Sequence, residues 1–160
     1  ERPTGSPEGP YWRHHFDVVA EWEARRWLTF AAQADHGWEP NRFGTARWSA
    51  GALYARVQPA RWLYVAARGD RFHEHLATEG APGGRASAPI FWGGSEWVSS
   101  YTTTIDVHPH DNLSVRLEYR HDESEAPIYF RRGVLTGPGG AFLPNATSQD
   151  TILLGATAWL

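Results

Sequence analysis

The sequence predicts an antiparallel, all-β, barrel-type fold, and three observations support it. Apolar and polar residues alternate with a period of two in at least seven segments, which is typical of strands with two different faces. Helical periodicity is missing from almost the whole chain, whereas Gly and Pro, with 16 and 11 residues, are frequent enough for many turns. The length of 160 residues suits a single domain, so residues 1–160 are expected to form one β-barrel domain or a fragment of one.

The first four predicted strands form two hairpins. Residues 14–23 and 26–36 are joined by a tight turn, and residues 46–57 and 61–73 are joined across Gln58-Pro59-Ala60. Each strand alternates between an apolar and a polar face. In the third strand, the apolar face is assigned to Trp48, Ala50, Ala52 and Tyr54, and the polar face to Arg47, Ser49, Gly51 and Leu53.

Three further strands are predicted at residues 96–107, 112–121 and 151–160. The segment 112–121 has the cleanest alternation, because Leu113, Val115, Leu117 and Tyr119 interleave with Ser114, Arg116, Glu118 and Arg120. Its charged face suits a water-filled space better than a small packed core.

The predicted connections alternate in length. Short turns follow the first, third and fifth strands, and long loops at residues 37–45, 74–95 and 122–150 follow the others, with Gly/Pro-rich stretches at 81–84 and 136–140. A soluble sandwich has no reason to place every long loop at one end, whereas an outer-membrane barrel has short periplasmic turns and longer outer loops. The pattern therefore favours an up-and-down transmembrane β-barrel.

Two sets of side chains are the candidate functional residues of such a barrel. The charged faces predict that the lumen is lined by Asp17, Glu21, Arg47, Arg68, Asp70, Arg116, Glu118 and Arg120. Aromatic residues near strand ends predict membrane-interface girdles that contain Trp22, Trp48, Tyr54, Trp97, Tyr119 and Trp159. The opposed charges on the sixth strand either tune the solutes that pass or hold the register by cross-strand ion pairs, and both roles are compatible.

Composition and motifs argue against several other classes. The net charge of −3 gives no basic footprint for nucleic acid, and the absence of Cys excludes disulfides and thiolate metal sites. The close His pairs are expected to be surface polar residues, so neither a metal nor another cofactor is predicted. No nucleophile elbow or phosphate-binding loop is present, so no catalytic residue is assigned and an enzyme is not expected.

The last third of the chain resembles a known family. The run Arg116-Leu-Glu-Tyr-Arg-His-Asp122 with the aromatic Phe130 after it, and Ser148-Gln-Asp-Thr151 leading into the final strand, are similar to the closing strands of bacterial outer-membrane β-barrel porins of the porin-2, OmpL-like kind. The resemblance implies a bacterial outer-membrane location and the lipid bilayer as a partner.

Strand counting makes the chain look like the C-terminal part of a larger barrel. Single-chain bacterial barrels close with an even number of strands, whereas seven are predicted here. A last strand that runs inward places the first strand inward too, so an upstream strand is expected. An eighth strand hidden in residues 130–143 would break the up-and-down order.

The expected function is a porin-like channel for passive diffusion of small hydrophilic solutes. Two alternatives stay open: a structural barrel subunit of a larger outer-membrane complex, and a soluble β-barrel or sandwich that binds carbohydrate through exposed Trp. Apolar clusters in the long loops, such as Ile90-Phe91-Trp92, either narrow the barrel mouth or contact an envelope partner or a neighbouring protomer.

Overall fold

The computed structural model describes residues 5–77, 87–133 and 135–159. It contains nine strands: β1 His14–Arg25, β2 Leu28–Asn41, β3 Gly44–Ala60, β4 Leu63–His75, β5 Trp97–His110, β6 Leu113–Ser124, β7 Leu135–Thr136, β8 Phe142–Leu143 and β9 Ser148–Ala158. A single 3₁₀ turn at Pro138–Gly140 separates β7 from β8. The Gly/Pro-rich stretch at 81–84 and residue 160 lie outside the described residues. The part of the chain that the structure describes has no helix long and apolar enough to cross a bilayer.

Seven strands form one antiparallel up-and-down sheet in the order β1-β2-β3-β4-β5-β6-β9. Every neighbouring pair is antiparallel, so the sheet is a continuous meander. Each of the predicted strands has its counterpart in this sheet, and each observed strand passes the predicted bound at one end or both, as β2 does from the predicted end at residue 36 to Asn41. The all-β, antiparallel fold class is confirmed. Among the described residues the sheet is open, with β1 and β9 at its edges.

The described residues of the segment 130–143, in which an eighth strand was considered, do not contribute to this sheet. They hold the short hairpin β7–β8, whose two residue pairs form a separate two-stranded sheet. Because each strand has two residues, the hairpin lies within the long β6–β9 connection and is too short to span a bilayer.

Of the three connections predicted to be long loops, only two are long. Two of them are long, since 76–96 separates β4 from β5 and 125–147 separates β6 from β9, both at the same end of the sheet. The predicted long loop at 37–45 is wrong, because β2 and β3 continue through it and turn at residues 42–43. Asn41 Oδ1 accepts a hydrogen bond from the Phe43 N–H at 2.8 Å, and Gly44 has a φ of +119°. The side-chain hydrogen bond of Asn41 and the positive φ of Gly44 together allow a tight turn. We call this end, which holds 42–43 and both long loops, the outer end.

One face of the sheet is apolar. Residues directly opposite each other on neighbouring strands point to the same side, and one such row runs across all seven strands. The row consists of Trp22, Phe30, Ala55, Ala67, Thr103, Tyr119 and Ile152. These side chains are exposed in several cases, and Leu154 on the same face is 77% exposed. We call this the outer face.

Burial in this sheet is the reverse of that in a soluble protein. Large apolar residues are exposed on the outer face, while many of the buried side chains among the described residues are polar, including Glu39, Glu74, Ser100 and Asp122. A soluble domain buries its apolar face against another layer, and no such layer covers the outer face of the described sheet. The arrangement is the one that a hydrocarbon environment stabilises.

Candidate functional site

The opposite face of the sheet is polar, and a second cross-strand row defines it. This row consists of Glu21, Ala31, Tyr54, Arg68, Thr102, Arg120 and Thr151. The face, which we call the inner face, bounds a cavity of ≈ 500 Å³ whose lining comes from six strands, β1 to β6. Because one cavity is lined by six neighbouring strands, the inner face is concave.

Seven of the eight predicted lumen-lining residues share the inner face. They are Asp17, Glu21, Arg68, Asp70, Arg116, Glu118 and Arg120. Four of them, Glu21, Arg68, Glu118 and Arg120, line the same cavity. The alternation in the sequence therefore assigned most of the candidate residues to the same face. That these residues line a lumen stays a prediction.

Arg47 is the exception and lies on the outer face. It is opposite Trp38 on β2 and His75 on β4, at the outer end of the sheet. The assignment failed because both faces of β3 mix apolar and polar residues, so alternation alone could not choose between them. The tight turn at 42–43 sets the register, and Leu53, Ala55 and Val57 then point outward with Arg47.

Because the two faces of β3 are exchanged relative to the prediction, two of the predicted interface aromatics also lie on the other face. Trp48 and Tyr54 lie on the inner face, where Trp48 is 4% exposed, so their assignment to the membrane interface is wrong. Trp22, Trp97 and Tyr119 lie on the outer face. Trp159 follows β9, and its backbone N–H donates to the Asn112 carbonyl at 3.1 Å.

The outer-face aromatics have further ring and cation contacts. Trp22 stacks on Phe30 with ring centroids 5.9 Å apart, and the Arg71 guanidinium lies 4.3 Å from the Trp97 ring centre. Arginine that rests on a Trp ring near a strand end can keep its charge in the headgroup region while its stem remains on apolar surface. These contacts are compatible with the girdle prediction.

The inner-face charges are mostly paired with hydrogen-bonding partners. Near the C-terminal end of β6, Asp122 accepts from Arg120 Nε at 2.7 Å, from Ser100 Oγ at 2.5 Å and from Gln149 Nε2 at 3.0 Å. Asp122 is buried, and these three donors compensate for the loss of water around its carboxylate. Ser100, Asp122 and Gln149 were not among the candidate lumen residues of the sequence analysis. For Asp122, continuing the alternation of the sixth strand by two residues past Arg120 would have found it.

A second cluster lies toward the other end of the same strands. Asp106 accepts from Ser114 Oγ at 2.6 Å and from Arg116 Nη2 at 3.1 Å, and His108 Nε2 is 3.3 Å from its carboxylate. Between the two clusters, Thr104 Oγ1 donates to Glu118 at 3.0 Å. The predicted cross-strand pairing of β6 therefore exists as a ladder of contacts to β5 and within β6.

The wall formed by β1 to β4 is polar too. Gln33 Nε2 donates to Asp17 at 3.1 Å, and His15 Nε2 lies 3.0 Å from Asp35. Arg68 pairs with Asp70 at 2.9 Å and also lies 5.2 Å from the centre of the Tyr54 ring. Such a wall of hydrogen-bonding groups and paired charges suits contact with water and polar solutes.

The β6–β9 connection returns to the vicinity of the inner face. Tyr129 in this loop forms an isolated bridge with Ala146. Burial raises the pKa of the Tyr129 hydroxyl, and the negative charge of Asp122 raises this pKa further. Ser124 Oγ donates to the Ala126 and Thr147 carbonyls at 2.8 and 3.2 Å, so both ends of this connection contact the outer end of the inner face.

The His residues do not form a metal-binding arrangement in the described residues. No three or more His, Asp or Glu side chains converge there as a metal ion requires.

Comparisons with known proteins match this architecture. A family profile described as "Putative beta-barrel porin-2, OmpL-like" matches residues 2–158. Among solved structures, a NanC porin in a rhombohedral crystal form is similar with a TM-score of 0.59 and 12% sequence identity. That alignment covers 92% of this chain and 64% of the NanC porin chain. No curated protein sequence matched. Since the family profile covers nearly the whole chain, the chain belongs to the porin-2, OmpL-like family and is a porin-like β-barrel protein of the bacterial outer membrane.

Proposed function

We propose that the chain forms the wall of a water-filled channel through which small hydrophilic solutes diffuse passively. The observation that carries the proposal is the division of the sheet: the charged inner face is concave and bounds a cavity of ≈ 500 Å³, while the apolar face is exposed. In a bilayer the outer face would contact lipid, and the inner face would keep its paired charges in water. The lipid bilayer and the permeating solutes are the partners in this proposal, no catalytic step is part of it, and residues 1–160 act as one barrel unit.

The exposed outer face argues against the alternative of a soluble β-barrel or sandwich that binds carbohydrate. Leu53 on β3 and Ile152 and Leu154 on β9 are all exposed by 70% or more, on the same face of the sheet. A contiguous apolar face of this kind would aggregate in water. The alternative of a structural subunit with a plugged lumen has less support, because only strand residues line the central cavity of the inner face in the part of the chain that the structure describes.

Conductance measurements test the proposal. The full gene product, purified in detergent from outer membranes, is added to a planar lipid bilayer under an applied voltage. Stepwise increases in ionic current are expected, because a hydrated lumen with charged walls passes ions. Circular dichroism provides the control that the sample is folded. Folded protein that inserts into lipid without producing current would contradict the channel and favour the structural subunit.

A further inference from the structure

The loop between β4 and β5 is tied to the outer end of the inner face. Glu74, near the end of β4, is 1% exposed. Its carboxylate accepts from the Ile90 N–H at 2.5 Å and from the Phe91 N–H at 3.2 Å. A buried carboxylate needs such donors in place of water, so the two bonds hold this part of the loop against the sheet.

Phe91 inserts its ring between two aromatic side chains of the inner face. Its ring lies edge-on to Trp48 of β3 at 5.3 Å and to Phe72 of β4 at 5.1 Å between centroids. Both partners are on inner-face positions, because Trp48 is opposite Glu74 and Phe72 is opposite Ala50. Edge-to-face packing of this kind adds to the apolar contact and holds the ring in one orientation.

The loop also has a second tether, at the N-terminal segment. Glu8 is buried, and its carboxylate accepts a hydrogen bond from the Ala88 N–H at 2.8 Å. The Glu8 carbonyl accepts from the Arg42 N–H at 3.1 Å, which fixes the segment to the tight turn between β2 and β3. The loop is therefore held from both sides of the mouth.

The exposed side of Phe91 borders an open space. The ring is 49% exposed, and it lines a cavity of ≈ 500 Å³ together with Trp92. The other walls of this cavity include the polar side chains Arg13, His15, Asp35 and Asp70. An aromatic ring thus projects from the loop into the space above the inner face, in a cavity that charged groups also line.

We propose that residues 87–96 of this loop form the constriction of the channel and that Phe91 limits the size of the solutes that pass. The inference rests on the proposed function and adds to it the residue that sets the size limit. A loop held by two buried carboxylates and an aromatic clamp has little freedom to swing away, so the narrowing is a permanent feature of the mouth. Polar groups on the far side of the cavity keep the passage wet.

Single-channel conductance of Phe91→Ala tests the constriction. Loss of the ring widens the passage, and the conductance is expected to rise roughly 1.5- to 2-fold. Phe142→Ala is the matched control, because Phe142 lies in the β7–β8 hairpin of the other long loop and is 71% exposed. Its conductance is expected to equal that of the wild type. If the wild type conducts and Phe91→Ala has the same conductance, the constriction is refuted but the proposed channel is not. The same conclusion follows if Phe142→Ala raises the conductance as much as Phe91→Ala does. If the folded wild type gives no current, the proposed channel itself fails.

Thiol chemistry provides a readout that does not depend on current. The chain has no Cys, so a cysteine introduced at Ala50, which lines the cavity beside Phe91, is the sole thiol. Added from the outer side, a small water-soluble thiol reagent is expected to react with Ala50→Cys much faster than a bulky one. Phe91→Ala should accelerate the bulky reagent and leave the small one unchanged. Equal acceleration of both reagents, or of neither, would overturn the proposal.

Discussion

Replacing Thr103 with arginine is expected to destabilise the folded barrel in lipid by about 2–4 kcal/mol, whereas the same change at Thr102 should cost less than about 1 kcal/mol. The two threonines are neighbours at the middle of β5 and have the same side chain. Thr103 lies opposite Ala67 and Tyr119 on the outer face, while Thr102 lies opposite Arg68 and Arg120 on the inner face. An arginine at position 103 would place its guanidinium in hydrocarbon, and one at position 102 would reach water.

Denaturant unfolding in phospholipid vesicles measures this difference. Both variants change volume, charge and β-propensity equally. Repulsion by Arg68 and Arg120 acts only on the arginine at position 102, so a larger loss at position 103 reports the face on which the side chain lies. Tyr54→Arg and Leu53→Arg extend the test to β3, where sequence and structure assign the faces differently. Equal losses for Thr102→Arg and Thr103→Arg, or a greater loss at Thr102, would contradict the assignment of lipid to the outer face.

Gly37→Ala is expected to destabilise the protein by about 1–3 kcal/mol through overpacking. The Trp48 ring lies across Gly37, and a Cβ there would stand 2.0 Å from Trp48 Cζ2 and 2.7 Å from the His14 carbonyl oxygen. The indole would have to move, and the backbone oxygen could not yield easily. Because Trp48 supports Phe91, the variant should also raise the channel conductance.

Gly51→Ala is the matched control for this substitution. Gly51 is also in the interior of a strand, but the nearest atom to an added Cβ is the Gln33 carbonyl oxygen at 3.9 Å. Alanine should therefore be neutral or stabilising by up to about 1 kcal/mol, since glycine loses more conformational freedom on folding. Unfolding curves of the two variants that coincide would show that the packing of Trp48 on Gly37 has no energetic consequence.

Sequence alternation predicted the sheet well because strand faces are a local property. Period two, with unambiguous residues such as Leu117 and Glu118 on β6, assigns each side chain to a face without any knowledge of neighbours. The strand β3 shows the limit of this argument. There, Trp48 and Tyr54 alternate with Arg47 and Leu53, so each face offers both apolar and polar residues, and only pairing with β2 decides.

The outer end of the barrel was harder to predict, because distant contacts determine it. Glu39 and Pro40 have low β-propensity, yet β2 continues through them. Glu39 is buried beneath Arg13, with 2.9 Å between Arg13 Nη2 and its carboxylate, and these residues are 26 positions apart in sequence. Likewise, the cluster Ile90-Phe91-Trp92 was recognisable as apolar, but the position of Phe91 follows from the Glu74 carboxylate and the Trp48 ring.

The central claim is that one face of this sheet meets lipid and the other meets a water-filled lumen, and single-cysteine labelling along β5 tests it most directly. Cysteines are introduced one at a time at Thr102, Thr103, Thr104 and Ile105 of the cysteine-free chain in phospholipid vesicles. A water-soluble, membrane-impermeable thiol reagent should label positions 102 and 104 and leave 103 and 105 unreacted. Uniform labelling, or labelling of 103 and 105 in place of 102 and 104, would contradict the account.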